Sequence, residues 1–303
     1  MTAAVPDRVV IAIPTFRRPK SLARLLDAVA ALETEADIRV LVADNDAARH
    51  EGIDLCMRRA PAYRWPLAAR IAPERGIAQV RNVLVAGALA MGADFVAMID
   101  DDEWPEPGWI DAFLAVARAS GADALQGSIL FGDASGGVPD IRRATGPVAM
   151  LQGAGNLLLR AGLLAAMAPP WFDPAFALTG GEDRDFFLRL QAQGARFAWA
   201  DEARAHGDVP QTRATLSWAL ARAYSTGNSD MRALLKHRPG LSTRLTESAK
   251  ILGALLLSLP LAAILAPSPN RRRTPLLRLC RAAGKLAAMA GLRYNEYAVV
   301  HGE

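Results

Sequence analysis

The chain has 303 residues, 51% hydrophobic and 22% charged, enough to bury a sizeable core and long for one domain, so a large domain with an appendage is expected. Its two cysteines, Cys56 and Cys280, lie far apart without CxxC spacing, which argues against a zinc ribbon, a redox pair or a disulfide framework and fits a reducing cytoplasm. The net charge of +4 is uneven: residues 1–210 carry 21 Lys and Arg against 27 Asp and Glu, a net −6, whereas residues 211–303 carry 14 against 4, a net +10, and a basic tail on an acidic body points to an anionic partner.

The N-terminal stretch MTAAVPDRVVIAIPTF has no basic flank, long apolar region or small-residue cleavage site, so export is not expected. Within it, RVVIAI (8–13) reads as a β-branched strand. PKSLARLLDAVAAL follows as a helix, with Pro19 suited to the first turn and Leu22, Leu25, Leu26 and Val29 at helical spacing. DIRVLVA (37–43) is a second strand, residues 74–91 carry Ile77, Val80, Leu84, Ala88 and Met91 on one helical face, and ADFVAMI (93–99) is a further strand. This alternation predicts an α/β fold, a mostly parallel sheet with helices on both faces, which binds ligands at the carboxyl ends of its strands. The polar clusters PTFRR, DND (44–46) and DDDE (100–103) follow three of those ends, so all are expected along one edge.

Neither GxGxxG after the first strand nor GxxxxGK[ST] occurs, which removes most support for dinucleotide redox chemistry and P-loop hydrolysis. Hard carboxylate oxygens such as those of Asp100, Asp101 and Asp102 would instead hold Mg²⁺ or Mn²⁺, and the ion would bridge phosphate oxygens. The plain alternative is a charge run that solvates a turn. Three adjacent carboxylates at a strand end repel one another, however, which favours a cation.

The ordered set IPTFRR, VADND, ERGIAQVRN, MIDDDEWPEPGW, GAGNLLLR, GGEDRDFFLRL and ARAHGDVP resembles family 2 glycosyltransferases of the GT-A nucleotide-sugar-binding fold. It is similar to the bacterial enzymes that build exopolysaccharides of the succinoglycan type. The resemblance lies in the order of the motifs rather than in any one of them, and it implies a GT-A domain over residues 1–230, leaving residues 231–303 as a basic, apolar helical region. It implies that Pro14, Thr15 and Arg17 belong to a loop closing over the nucleotide, that Asp44 contacts the nucleobase or ribose, and that Arg75 and Arg81 neutralise the diphosphate. Glu74 and Arg75 depart from the Asn common at the start of that segment. Asp100 would contact ribose or metal-bound water and Asp102 would ligate a divalent cation, Mn²⁺ or Mg²⁺, with His206 as a further ligand. Asp183 would be the general base, with Glu182 as neighbour and second candidate, and Asn156 would bond a donor or acceptor sugar. Structural alternatives stand beside these roles: a turn for Pro14, an exposed helical turn for Arg75 and Arg81, an ordinary lone histidine for His206, and a helix cap for Asp183. The implied reaction is inverting, metal-dependent transfer from a nucleotide sugar, UDP-linked, to a glycan or lipid-linked glycan acceptor in surface or exopolysaccharide synthesis, by one displacement without a covalent intermediate.

In the tail, ILGALLLSLPLAAILA (251–266) is 16 residues without a charge, broken by Pro260, where a spanning helix wants ~20. RRR (271–273) follows, and residues 276–292 interleave Leu276, Leu277, Leu279, Leu286 and Met289 with Arg278, Arg281 and Lys285. Such a pattern suits the interface of an anionic leaflet, so attachment to the inner face of the cytoplasmic membrane is expected; a helical subdomain packed on the core is the alternative. Nucleic acid is not an expected partner, because the basic residues lie beside aliphatic runs rather than aromatics. The competing function is a sugar-nucleotide-binding or nucleotidyltransferase protein on a related sheet, which would carry a Gly-rich basic loop after the first strand. IPTFRRPK lacks those glycines.

Overall fold

The computed structural model describes residues 5–132, 139–208 and 215–295. The first four residues of the N-terminal stretch and the Val209 and Pro210 of the GDVP motif lie outside them. β1 (Arg8–Thr15) pairs in parallel with β2 (Asp37–Asp44) on one side and with β4 (Phe95–Met98) on the other, and β3 (Leu67–Ile71) extends the sheet beyond β2. The crossovers are α1 (Pro19–Ala30), α2 (Glu51–Arg59) and α3 (Ile77–Ala90). Val9, Ile11 and Ile13 of β1 face a core with Leu22, Leu25, Leu26 and Val29 of α1, while Val10 and Ala12 face Val80, Leu84 and Ala88 of α3. Both faces of β1 are covered, which is why its sequence is a continuous apolar run and not an alternation. Each fully buried α1 side chain contributes ~1.5–3 kcal/mol, which ties helix to sheet.

Beyond β4 the sheet becomes mixed. β8 (Leu157–Arg160) runs antiparallel to β4 and to β6 (Ala124–Phe131), and β6 runs parallel to β9 (Phe197–Gly207). β5 (Glu103–Pro105) and β7 (Gly146–Val148) lie antiparallel against β9. The order is β3-β2-β1-β4-β8-β6-β9-β5. The expected parallel arrangement therefore describes the first half of the sheet and the β6–β9 pair; elsewhere strands reverse, because a short segment such as LLLR encodes a strand but not its direction. Around this half lie α4 (Trp109–Ser120), α5 (Ala161–Ala165) and α6 (Glu182–Ala192), whose Phe186, Phe187 and Leu190 are buried against the α3 face.

Three long helices follow: α7 (Leu216–His237), α8 (Leu241–Ile264) and α9 (Pro269–Met289). The domain boundary drawn at residue 230 falls inside α7, which continues to His237; the compositional shift marks a change of surface, not a break in the chain. α7 and α9 approach so closely that a Cβ on Gly227 would meet the Arg281 carbonyl oxygen at 2.1 Å, and one on Gly284 the Tyr224 carbonyl oxygen at 2.0 Å. Pro260, expected to break the apolar stretch, instead lies within a continuous α8. That helix leaves Leu245, Leu252, Leu256 and Leu259 exposed at the i, i+7, i+11, i+14 spacing of one helix face, and Leu257 and Ile264 exposed on a second face.

Candidate active site

The carboxyl ends of β1, β2 and β4 bring the polar clusters together as expected, but with changed roles for several residues. β1 reaches Thr15, so Pro14 and Thr15 are buried strand residues, not loop; Pro14 pairs with Ala43. The Thr15 hydroxyl donates to Asp101 at 2.8 Å, and Arg18 bridges Asp101 at 3.1 Å and Asp102 at 2.8 Å. Arg17, in the left-handed region at φ 55, pairs with Asp46 at 2.6 Å. Arg17 and Arg75 both place a guanidinium over the Phe16 ring, which gathers positive charge at the ends of β1 and β2.

Asp44 is buried, and its two oxygens accept the backbone N–H groups of Asp46 at 2.9 Å and Gly52 at 2.8 Å. It organises the turn into α2, and that backbone demand is what the strand-end position conceals in sequence. Asn156 is corrected more sharply. It is wholly buried, accepts from the Trp109 indole at 2.7 Å, and donates to the carbonyls of Ser128 and Ala203 at 2.8 and 2.9 Å. Its amide is satisfied inside the core, so it does not face a sugar. Trp171 is likewise core, and Trp104 is held between the Arg24 guanidinium and the His206 ring.

Arg81 joins two motifs that are 101 residues apart in sequence. Buried in α3, it pairs with Glu182 at the start of α6 and reaches Asp100 at 3.3 Å. Where a diphosphate contact was expected, this guanidinium engages carboxylates and welds the strand-end cluster to the Glu182–Asp183 pair. Gly180 and Gly181, at φ 69 and 94, turn the chain into α6 in a conformation that a side chain would resist. Asp183 follows at the rim, half-buried, its Oδ1 accepting the Arg184 N–H. Asp185 is buried and bonded to Lys236, His237 and Arg189, which pins α6 to the end of α7. A cleft of about 470 Å³ opens over Asp183, walled by residues 151–153, the start of α6, and α7 and α9.

The electrostatics of the strand-end cluster are strained by excess negative charge. Burial pushes Asp101 up to about 7, against the pull of Arg18 and Thr15. Glu103 is raised well above the usual carboxylate range by burial and then by Asp100 and Asp102, and its Oε2 has no hydrogen-bond partner. Gly155 backs directly onto this group: a Cβ there would lie 2.9 Å from Glu103 and 3.3 Å from Asp100. Asp100 and Asp102 keep side-chain exposures of 35% and 25%. Two hard carboxylates of this kind fit Mg²⁺ or Mn²⁺, which commonly take one or two carboxylates plus phosphate and water. His206, expected as a further ligand, is engaged elsewhere in this structure. Its ring stacks on Trp104 and its Nε2 lies 3.2 Å from Glu106, because the β5–β9 register makes Trp104 its cross-strand partner. Among the described residues, no three His, Cys, Asp or Glu side chains stand together as a ligand set.

The Glycosyl transferase family 2 model matches residues 10–144. Across 94% of its length the chain is 31% identical to the succinoglycan biosynthesis protein ExoM of Rhizobium meliloti (strain 1021), and the match covers 94% of that protein. The chain belongs to glycosyl transferase family 2. This glycosyltransferase is also 25% identical to the chondroitin synthase of Escherichia coli, over 87% of its own length and 43% of that protein's. Its fold is that of the GT-A enzymes. The mannosyltransferase PcManGT from Pyrobaculum calidifontis, solved in complex with GDP-Man and Mn²⁺, superposes with a TM-score of 0.63 at 17% identity, covering 94% of this chain and 88% of that one. S. aureus TarS 1–349, solved with UDP-GlcNAc, superposes with a TM-score of 0.53 at 15% identity, covering 98% and 95%. Sequence reasoning missed the part played by Arg18 in the glycosyltransferase, since nothing in IPTFRR distinguishes the arginine that turns toward Asp101 and Asp102 from its neighbour Arg17.

Proposed function

We propose that the enzyme transfers a sugar from a nucleotide-diphosphate donor, UDP-linked, to a glycan or lipid-linked glycan acceptor in exopolysaccharide synthesis, with inversion at the anomeric carbon and Asp183 as general base. The observation that carries this reading is the Arg81 bridge, which holds Asp100 at the strand ends and Glu182 beside Asp183 in one site. Donor and acceptor can then meet on opposite sides of one anomeric carbon. Arg17 and Arg75 supply positive charge for the diphosphate. Asp183, half-buried at the cleft, takes the proton of the acceptor hydroxyl as its oxygen bonds to the anomeric carbon and the nucleoside diphosphate departs. Glu182 is drawn to Arg81, and burial raises it to about 7, so it steadies the site and leaves the base role to its neighbour. Asp100 and Asp102 would hold a divalent cation, which when bound stabilises negative charge on the departing diphosphate. ExoM's name places that relative in succinoglycan synthesis, and its similarity along nearly the whole chain supports an exopolysaccharide product here.

The exposed leucine stripe of α8, with Arg271, Arg272 and Arg273 following it, supports docking on the anionic inner face of the cytoplasmic membrane. In α8, 24 residues long with an apolar window of mean hydropathy 1.6, only 17% of that window is buried. The paired apolar and basic surface matches the two attractions of an interfacial helix. Asp183→Asn tests the catalytic reading, since it keeps the size of the side chain and removes the base. Donor affinity is expected to hold while turnover falls ~10²-fold or more, and NMR of the product should show an inverted anomeric configuration. Unchanged turnover, or retained configuration, would overturn it.

A further inference from the structure

Of the features the reaction does not absorb, the cleft wall contributed by the C-terminal helices carries most. From α7 come Arg222, Ser225, Thr226, Ser229 and Asp230, and from α9 comes Arg281. The α7 residues close the span expected to be the GT-A domain, whereas Arg281 lies in the tail for which membrane attachment, or a helical subdomain packed on the core, was expected. The volume of about 470 Å³ falls within the ~300–1,000 Å³ range of ligand pockets. Its lining is unlike an apolar cofactor slot: hydroxyls line one helix face, and Arg281 donates to Asp230 at 2.5 Å across the two helices. Each sugar hydroxyl both donates and accepts. A guanidinium and a carboxylate held side by side therefore offer the two complementary halves that a vicinal diol needs.

The helix packing makes that pair part of the fold. The Gly227 contact with the Arg281 carbonyl and the Gly284 contact with the Tyr224 carbonyl set the separation of α7 and α9. Asn228 adds bonds to the carbonyls of Gly284 and Leu292 at 3.3 and 3.0 Å. On the other side of the cleft, a Cβ on Gly181 would meet the Ser229 Cβ at 2.8 Å, so the turn that presents Asp183 is seated directly on α7. Base and wall are thus fixed to each other.

We propose that α7 and α9 form the acceptor-sugar subsite, in which Thr226, Asp230 and Arg281 grip the terminal ring of the acceptor and turn one of its hydroxyls toward Asp183. The inference rests on the transferase reading above and deepens it by naming the surface that selects the acceptor. The subsite takes a neutral, polyhydroxylated ring, because Arg281 is already matched by Asp230.

Saturation-transfer NMR of the full chain with methyl β-glucoside, methyl β-galactoside and cellobiose, alongside calorimetric titration with UDP and GDP in the presence of Mn²⁺, tests it. The wild-type chain should transfer saturation to at least one glycoside. Arg281→Gln and Asp230→Asn should each weaken that binding by about 10-fold or more, the loss expected for a hydrogen bond to a charged group, with nucleotide affinity unchanged. Thr226→Val is the companion variant: its hydroxyl bonds only within its own helix, to the Arg222 carbonyl at 2.8 Å, so α7–α9 packing is kept while glycoside binding should fall. If the wild-type chain binds none of the three glycosides, or all three variants bind them undiminished, the subsite is overturned. Absence of nucleotide binding would instead defeat the donor reading, whatever the glycosides do.

Discussion

Replacing Arg81 with Met removes the bridge between the strand ends and α6 while keeping most of the aliphatic volume. The side chains of Arg81 and Glu182 are 7% and 4% exposed, so their pair is truly buried, and taking away one partner strands the other. Such a loss costs ~3–5 kcal/mol. The Asp100 contact adds little to this figure, because its carboxylate is 35% exposed and screened by water. The penalty also depends on pH. Glu182 in the folded chain is raised by burial to about 7 from the ordinary value of 4.5, with Arg81 opposing the rise. Its folded form therefore holds a proton that the unfolded form releases, and the associated stability is complete below about 4.5 and lost as pH climbs through about 7. Without Arg81 the folded value moves higher still. At pH ~5.5 the variant carries a neutral Glu182 and loses ~1 kcal/mol, the value of one hydrogen bond, whereas at pH ~8.5 it must keep a buried acid protonated or bury a bare charge. Urea unfolding followed by tryptophan fluorescence at the two pH values measures both numbers. Adding Glu182→Gln should recover part of the loss at the higher pH. A destabilisation under ~1 kcal/mol at both pH values, or an equal one at each, would refute the assignment of Arg81 as a charge-matched weld.

Exhaustive chelation should abolish transfer and Mn²⁺ or Mg²⁺ restore it; full activity in metal-free protein would remove Asp100 and Asp102 from that role, while His206→Ala should leave metal affinity nearly unchanged because its ring is held by Trp104 and Glu106. Full-length protein should co-sediment with vesicles of anionic phospholipid, and Leu252→Gln/Leu256→Gln/Leu259→Gln should release it at moderate salt; equal sedimentation of the two proteins would show that α8 is not the contact. Gly227→Ala should cost ~1–3 kcal/mol by forcing α7 from α9, read as a lowered thermal midpoint, and an unchanged midpoint would mean that the 2.1 Å approach relaxes freely.

The strand β1, the helices α1 and α3, and the placing of PTFRR, DND and DDDE at strand ends were legible in the sequence, because each depends on a pattern repeated within a dozen residues. Leu22, Leu25, Leu26 and Val29 announce their helix and are all buried in it. The motif order was enough to reach the family. What each polar residue does within those motifs was not legible. Asp44 and Asp100 look alike as acids following strands, yet one is spent on backbone N–H groups and the other stays partly open. Asn156 and His206 sit in motifs that suggest ligands, but the crossing of β6, β8 and β9 puts the first in the core and the β5–β9 register turns the second toward Trp104. The direction of the strands beyond β4, the Arg81 weld and the cleft wall from α7 and α9 belong to the tertiary structure alone. Burial and charge pairing depend on which surfaces meet in space, and local periodicity carries a residue's face on its own element but not the partner that the fold brings to it.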